Sequence, residues 1–435
     1  MPGSARRPAA APGRLPAVFF VTLGFIQAIW PLTMDLYLPS FPQIERELAT
    51  APSLVQFTLT GAFIGMAAGQ LVAGPLSDRI GRIRPLLAAL AVYTVASVGC
   101  ALAPSIEVLI GVRVAQGIGA SATAVIILAI VRDRAEGPVM VKLLARLQLI
   151  NGVFVVASPA LGAQLLGVTD WRGLFWLLVV YGAVMLVAAA TVLGRGLPRP
   201  ATGARAGATG RAEMDGGDTA ATDTAATGAP AVPGARLIDD YRALLGDRRY
   251  RAAVGAGALQ WAAMMSYMAS SAFLFQGVFG LDELQYAIVF GGHGALMIAG
   301  AQISARLAGR VDITVVARVG AVVLFGTALV LLAGQLWLPG LGLLVFLLPL
   351  FAFTTTFGVI SPTLQSTALA DHGSRAGAAA SLIGATNMIS GAVASPLVGL
   401  FGVATTVPAA TVMTIASGAS ALVLVLGFRT RRRWR

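Results

Sequence analysis

Residues 54–103 read LVQFTLTGAFIGMAAGQLVAGPLSDRIGRIRPLLAALAVYTVASVGCALA. Two apolar runs, 54–76 and 85–103, flank a short charged loop, SDRIGRIR at 77–84. Each run is close to the roughly 20 residues that a helix needs to cross a hydrocarbon core. Neither alternates polar with apolar residues, which excludes the strands of a membrane barrel. The pattern continues along the chain. Further runs fall at about 16–39, 106–131, 143–166, 173–194, 252–275, 285–305, 314–334, 338–361, 376–400 and 404–428, twelve in all. The fold class expected is an all-α polytopic membrane protein with twelve transmembrane helices.

Composition agrees. The chain has 435 residues, 57% hydrophobic and 11% charged, with a mean hydropathy of +0.81. A soluble domain runs nearer a quarter charged, and a disordered chain is far less apolar. The scarce residues exclude several chemistries. Cys100 is the one cysteine, so neither an intrachain disulfide nor a Cys-cluster metal site is possible. His293 and His372 are too far apart in sequence for an HExxH zinc motif, and no metal site is expected. The one lysine, Lys142, lies between Val141 and Leu143, so the Gly-Lys-Ser/Thr of a P-loop is absent. No cofactor is expected.

The net charge of +12 suggests nucleic acid or membrane topology as its cause. Its distribution selects topology. With the N-terminus inside, 28 of the 31 Lys and Arg fall in cytoplasmic segments, two (Arg46 and Arg172) in outer loops, and Arg113 within a run. This asymmetry predicts cytoplasmic termini in a cell (cytoplasmic or inner) membrane. The first run has no small-residue cleavage site and reads as an anchor rather than a signal peptide. The partners expected are the lipid bilayer and a small-molecule substrate, with no nucleic acid, and the chain is expected to be monomeric.

The chain divides into residues 1–194, a linker over 195–249, and 250–435. Residues 195–235 are mostly Gly, Ala, Thr and Pro with scattered charge, a flexible composition, and 237–249 (LIDDYRALLGDRR) predicts a short amphipathic surface helix. The two halves repeat. ASPALG at 157–162 in run 5 matches ASPLVG at 394–399 in run 11, and SDRIGR at 77–82 after run 2 matches SARLAGR at 304–310 after run 8. Both matches join equivalent positions, so two pseudo-symmetric six-helix halves are expected, with a site between them, as in rocking transporters. Pro159, Gly162, Pro396 and Gly399 of the first repeat read as helix-packing residues.

Four groups of residues could carry chemistry. Asp35 is the only acid placed beyond the first turn of a run, four residues before Pro39 or roughly 6 Å from the outer end. Arg113 is seven residues into run 4, roughly 10 Å deep, where a guanidinium must be paired or wet. The pair reads as a proton-exchanging carboxyl and its cation. In the loop at 74–87, Gly74 and Gly81 allow packing and turning, while Asp78, Arg79 and Arg82 are placed to hold one conformation shut. Gln27, Tyr37, Gln116 and Asn151 in the first half, with Gln260, Tyr267, His293 and Asn387 in the second, are polar candidates for lining a cavity; hydrogen bonding between helices is the alternative use.

Several motifs resemble those of a known family. GPLSDRIGR at 74–82 is similar to the loop signature of the major facilitator superfamily, and RVAQGIGA at 113–120 to its fourth-span motif. ASPALG stands where antiporters of that superfamily carry a Gly-Pro motif. MDLYLPSFPQI at 34–44, IVRDRAEG at 130–137 and WRGLFW at 171–176 resemble the Bcr/CflA drug:proton antiporters. The resemblance implies the major facilitator fold, no enzyme activity, and export of small, partly apolar antibiotics in exchange for protons. It also implies Asp35 as the proton-linked carboxylate, Arg113 as its partner, and Asp78 with Arg82 as the lock. The chain departs from the pattern in three places. Gln27 stands where some relatives carry a second carboxylate, Ser158 precedes the run 5 proline, and SARLAGRVD lacks an acid matching Asp78. Two rivals stay open: a metabolite or sugar carrier, and an intramembrane enzyme, which would need a second acid or a serine–histidine pair.

Overall fold

The structure, a computed structural model, describes residues 17–134, 137–194, 241–338, 342–370, 372 and 375–427. The linker expected at 195–235 lies outside these residues. The described chain is almost wholly helical. The long helices of the first half are α1 (Val18–Glu47), α2 (Pro52–Ile80), α3 (Ile83–Ala101), α4 (Ile106–Arg134), α5 (Gly137–Leu166) and α6 (Trp171–Leu193). Those of the second are α7 (Arg248–Ala272), α8 (Glu283–Leu307), α9 (Ile313–Trp337), α10 (Leu343–Leu369), α11 (Ala376–Phe401) and α12 (Val407–Gly427).

Among the described residues, eleven of these are long and apolar enough to cross a membrane; α7 is the twelfth long helix and falls short in apolarity. It opens with Arg248, Arg249 and Arg251 and is rich in Ala, Ser and Gly. The reason is its surroundings. Most of α7 is buried, from Tyr250 to Ala272, against α10, α11 and α12. A helix wrapped by protein needs little of the apolar surface that lipid demands. Of the amphipathic helix expected at 237–249, residues 237–240 lie outside the described residues. A helical turn over 241–246 ends before Asp247, whose side chain accepts from the Arg249 amide and starts α7.

The two halves meet through two interfaces. α2 packs on α11, and α5 packs on α8. Exchanging each helix for its counterpart in the other half (α2 for α8, α11 for α5) turns the first pair into the second, which is the twofold relation that the sequence repeats imply. Within each half the closest contact is a seam of small residues. A Cβ on Gly65 or Gly117 would strike the Val114 or Ala62 carbonyl oxygen across α2 and α4. Gly300 and Gly358 do the same across α8 and α10, against Thr355 and Met297. In lipid, where apolar burial drives little association, such backbone approach is what holds helices together.

α1 differs from its reading. The run was expected to end near Pro39, but the helical path continues to Glu47 through a 3-10 turn at Leu38–Ser40 and a last helix at Phe41–Glu47. Pro39 and Pro42 each sit in the first turn of a segment, where a missing N–H leaves no bond unmade. Asp35 is therefore twelve residues, roughly 18 Å of helix, from this end rather than 6 Å.

Candidate functional site

Asp35 and Arg113 lie at similar depth, as the spacing suggests, yet face opposite sides of α1. Arg113 is fully buried inside the first half. Its Nη1 donates to the Thr33 carbonyl at 3.0 Å and to Gln116 Oε1 at 2.6 Å, and its guanidinium stacks 4.3 Å from the Tyr37 ring centroid. Its Nε and Nη2 have no hydrogen-bond partner. Gln116 passes the network on by donating to Ser97 Oγ at 2.8 Å. Thr33 and Tyr37 are four residues apart and share one face of α1; Asp35, two residues from each, projects on the other. Its carboxyl is 2% exposed and borders a cavity of about 20 Å³ lined by Trp30, Leu59, Phe63, Met265 and Met268. That is room for about one water. The expected Asp35–Arg113 ion pair is thus not formed. Gln116 and Tyr37 (whose hydroxyl lies 3.0 Å from Thr58 Oγ1) serve the Arg113 network rather than a substrate cavity.

The Asp35 cavity spans the boundary between halves, because Met265 and Met268 belong to α7. In the second half, Tyr286 of α8 shares a hydrogen bond with Ser271 of α7 at 3.0 Å. His293 is 2% exposed, packed 5.2 Å from the Tyr267 ring and 5.3 Å from Phe290. His293 Nδ1 and the Tyr267 hydroxyl are both unpartnered.

The loop at 77–84 contains an ion cluster with a member that the sequence reading missed. Arg82 bonds Asp78, donates to Ser77 Oγ at 2.8 Å, and reaches α4 through Nε to Asp133 Oδ2 at 2.7 Å. The Asp133 bond, ahead of that from Asp78, holds the Arg82 guanidinium above its ordinary pKa. Asp133 stood in the quoted IVRDRAEG, but nothing local ties position 133 to position 82. The cluster joins the ends of α2, α3 and α4 within one half. Gly81 makes the turn at φ 85, where a side chain would be strained. Gly74 is not a site of close packing: a Cβ there would meet only Val125, at 3.9 Å.

On the opposite face, the halves are bonded to each other. Gln56 donates to the Ala269 carbonyl at 3.2 Å and accepts from the Gly399 amide at 2.9 Å. Thr60 donates to the Ala392 carbonyl at 2.7 Å, and Gln276 to that of Pro39 at 2.8 Å. The Thr60 bond has a covalent cause. Pro396 has no N–H for the carbonyl four residues back, which is Ala392. The repeated prolines therefore do distinct work. Pro159 and Gly162 let α5 approach the Leu36 carbonyl of α1, while Pro396 and Gly399 join α11 to α2. These hydrogen bonds between the halves share one face of the molecule. At about 0.5–1.5 kcal/mol each, they contribute about 2–6 kcal/mol to holding it closed.

On the face where α1 begins and α12 ends, a second cavity opens among α7, α10 and α11. It has about 80 Å³ of free space and is bordered by Gln260, Trp261, Phe357, Ser361, Gln365 and Asn387. Gln27 and Asn151, the remaining candidates, are half-buried and do not border it. At the far end, Glu47 accepts from Trp171 Nε1 at 2.7 Å and pairs with Arg172, which also donates to the Ala103 carbonyl at 3.1 Å. Arg172 is thus a clasp between α1, α3 and α6.

Comparison with known proteins places this arrangement. The model of the Major Facilitator Superfamily matches residues 23–395. An uncharacterized MFS-type transporter, YdgK of Bacillus subtilis, is 30% identical over 396 residues, covering 90% of this chain and 91% of that one. The chloramphenicol resistance protein of Pseudomonas aeruginosa is 41% identical over 152 residues, 33% of this chain and 35% of that one. The multidrug resistance protein MdtL of Escherichia coli is 30% identical over 165 residues, 38% and 42% respectively. The chain thus spans well under half the length of these two resistance proteins. Among solved structures, a bacterial homologue of the human lysosomal transporter Spinster, inward-facing and occupied, superposes with a TM-score of 0.72 at 13% identity, covering 98% of this chain and 100% of that one. A single-residue mutant of the nucleoside transporter NupG gives 0.67 at 12% identity, covering 94% and 98%. At such identities these two speak for the fold alone.

Proposed function

The chain belongs to the Major Facilitator Superfamily, a family of multi-pass membrane transporters rather than enzymes, and we propose that it exports small, partly apolar drugs or antibiotics in exchange for protons. The observation that carries the reading is Asp35. It is a carboxyl 2% exposed, at the boundary between the halves, with no ion-pair partner among the described residues. For exchange, such a group must take a proton from outer water when the halves part on that face, hold it while sealed, and give it up toward the cytoplasm before the next cycle. Rocking of the halves then couples proton and substrate movement. Arg113 supports the step from behind, by fixing the α1 backbone at Thr33 and Tyr37 on either side of Asp35.

Charge asymmetry supports cytoplasmic termini and a location in the cytoplasmic membrane. With that orientation, the bonds at Gln56, Thr60 and Gln276 close the outer face, and the α7–α10–α11 cavity faces the cytoplasm. This is the state in which an exporter loads its cargo. The halves of one chain complete the site, so a monomer suffices, and protons replace any cofactor. Similarity to resistance proteins over parts of their length supports a drug as cargo. A carrier of polar metabolites is the second reading, favoured by Gln260, Gln365 and Asn387 at the cavity. Drug accumulation in everted vesicles tests the proposal. Uncoupler should abolish it and ATP depletion alone should not; uncoupler-insensitive accumulation would overturn proton coupling.

A further inference from the structure

We infer that the α7–α10–α11 cavity is a cargo site built for neutral molecules that both donate and accept hydrogen bonds, and that it is closed to cations. The inference rests on the export reading above and specifies its substrate class. Three observations carry it.

First, two residues that border the cavity hold unanswered polar atoms. Gln260 is 1% exposed; its Nε2 donates to Ser420 at 3.2 Å, leaving Oε1 without a donor. Trp261 Nε1 is buried without an acceptor. Both residues border the cavity, one lacking a donor and the other an acceptor. Buried polar atoms are nearly always satisfied, so two unpartnered ones on residues beside a cavity are the groups a ligand can satisfy once the cavity widens. Asn387, Gln365 and Ser361 add neutral polar groups on the facing helices. Second, Trp261 and Phe357 lie 5.9 Å apart and tilted by 41°, an aromatic wall against which a planar group can pack.

Third, none of the bordering residues is charged. The nearest intramembrane acid, Asp35, is screened off. Phe63 and Met265 border its cavity, and both meet Trp261 at Gly391, where a Cβ would lie 3.2–3.4 Å from all three side chains. A cation in the cavity would lose its hydration with no charged side chain among the described bordering residues. Neutral cargo and proton are thereby held in separate chambers divided by one layer of side chains. The free volume of about 80 Å³ is below what a drug occupies, so loading must widen the cavity. Pro362, next to Ser361, removes one backbone bond from α10 and lets that wall bend.

The test uses purified full-length protein in lipid nanodiscs and two probes of opposite character: chloramphenicol, which is neutral and carries amide, hydroxyl and nitro groups, and tetraphenylphosphonium, a cation without hydrogen-bonding groups. Equilibrium binding should favour chloramphenicol. Gln260→Leu and Trp261→Phe should each weaken it roughly tenfold, the size of one buried hydrogen bond, with the monodisperse elution profile retained. The Phe variant keeps the aromatic wall, so its loss isolates the N–H. Tetraphenylphosphonium binding equal to or tighter than chloramphenicol, absent chloramphenicol binding, or unchanged affinity in both variants would overturn the inference. Vesicle transport separates it from the export reading. Uncoupler-sensitive export with unchanged binding in both variants sinks the cavity assignment alone. Variant-sensitive binding without export of any probe sinks the export reading alone.

Discussion

The two halves share a fold and divide its chemistry. In the first, α1 and α4 carry an intramembrane acid and a buried cation, and the α2–α3 turn holds the Asp78–Arg82–Asp133 cluster. In the second, α10, the counterpart of α4, has no charged residue, and α7 offers Gln260 and Tyr267 where α1 offers Asp35. The loop after α8 keeps a glycine turn, Gly309 at φ 78, as Gly81 turns the loop after α2. Its bond to α10 is neutral, Ser304 and Thr363 sharing a hydrogen bond at 3.0 Å, while its acid, Asp312, caps α9 through the Thr314 amide instead of pairing across to α10. Backbone geometry is therefore common to both halves, and charge is not. The symmetric parts make the fold; the asymmetric parts are the place to look for coupling.

The sharpest break of this comparison is Asp35→Asn against His293→Asn. If proton handling belongs to the first half, the Asp35→Asn variant should lose drug-induced proton release in detergent altogether, while the His293→Asn variant keeps most of it. The reverse result would move coupling to the second half. Next in size is the cation. Arg113→Ala should lower transport about tenfold or more, since buried Gln116 and the Thr33 carbonyl lose a charged donor. Arg113→Lys should fail to restore it, because an ammonium cannot stack flat on Tyr37 while bonding both partners. Full rescue by lysine would reduce the network to mere charge.

The two loops are expected to differ more modestly. Asp133→Asn and Arg82→Ala should slow turnover several-fold, consistent with about 1–2 kcal/mol for a partly exposed charged bond. Asp78→Asn should do less, its side chain being 64% exposed. Ser304→Ala in the matching loop after α8 should stay near wild type. Equal effects in both loops would erase the proposed asymmetry. The smallest change concerns the closed face. Thr60→Val removes one bond of about 1 kcal/mol between halves. Amide exchange near Ala392 and Gly399 should rise by a factor of about five, as the α2–α11 contact opens more often. Unchanged exchange would show that the other three bonds suffice.

Much of this molecule is legible one residue at a time. Apolar run length specifies helices because hydrocarbon tolerates no unpaired backbone. Two repeats in register specify two halves. A single intramembrane acid and a single intramembrane arginine stand out because either is costly in lipid. Spacing along a helix also follows, since rise per residue is constant, but depth does not, because α1 runs on past Pro39 to Glu47. What the sequence leaves open is direction and distance. Asp35 and Arg113 matched in depth, but which face of α1 turns toward α4 depends on how Gly65 and Gly117 let α2 and α4 close. Position 133 could not be assigned to position 82, fifty-one residues away, without helices to bring them together. The bond from Thr60 to the carbonyl freed by Pro396 joins residues more than three hundred apart. The weak hydropathy of α7 looks like a defect in the chain and becomes intelligible once α10, α11 and α12 surround it. Local covalent geometry and solvent preference act residue by residue, so the sequence by itself determined the helices, their number and their charged exceptions. Pairing between helices depends on rotation and packing of whole surfaces, so only the tertiary structure decided which exceptions meet.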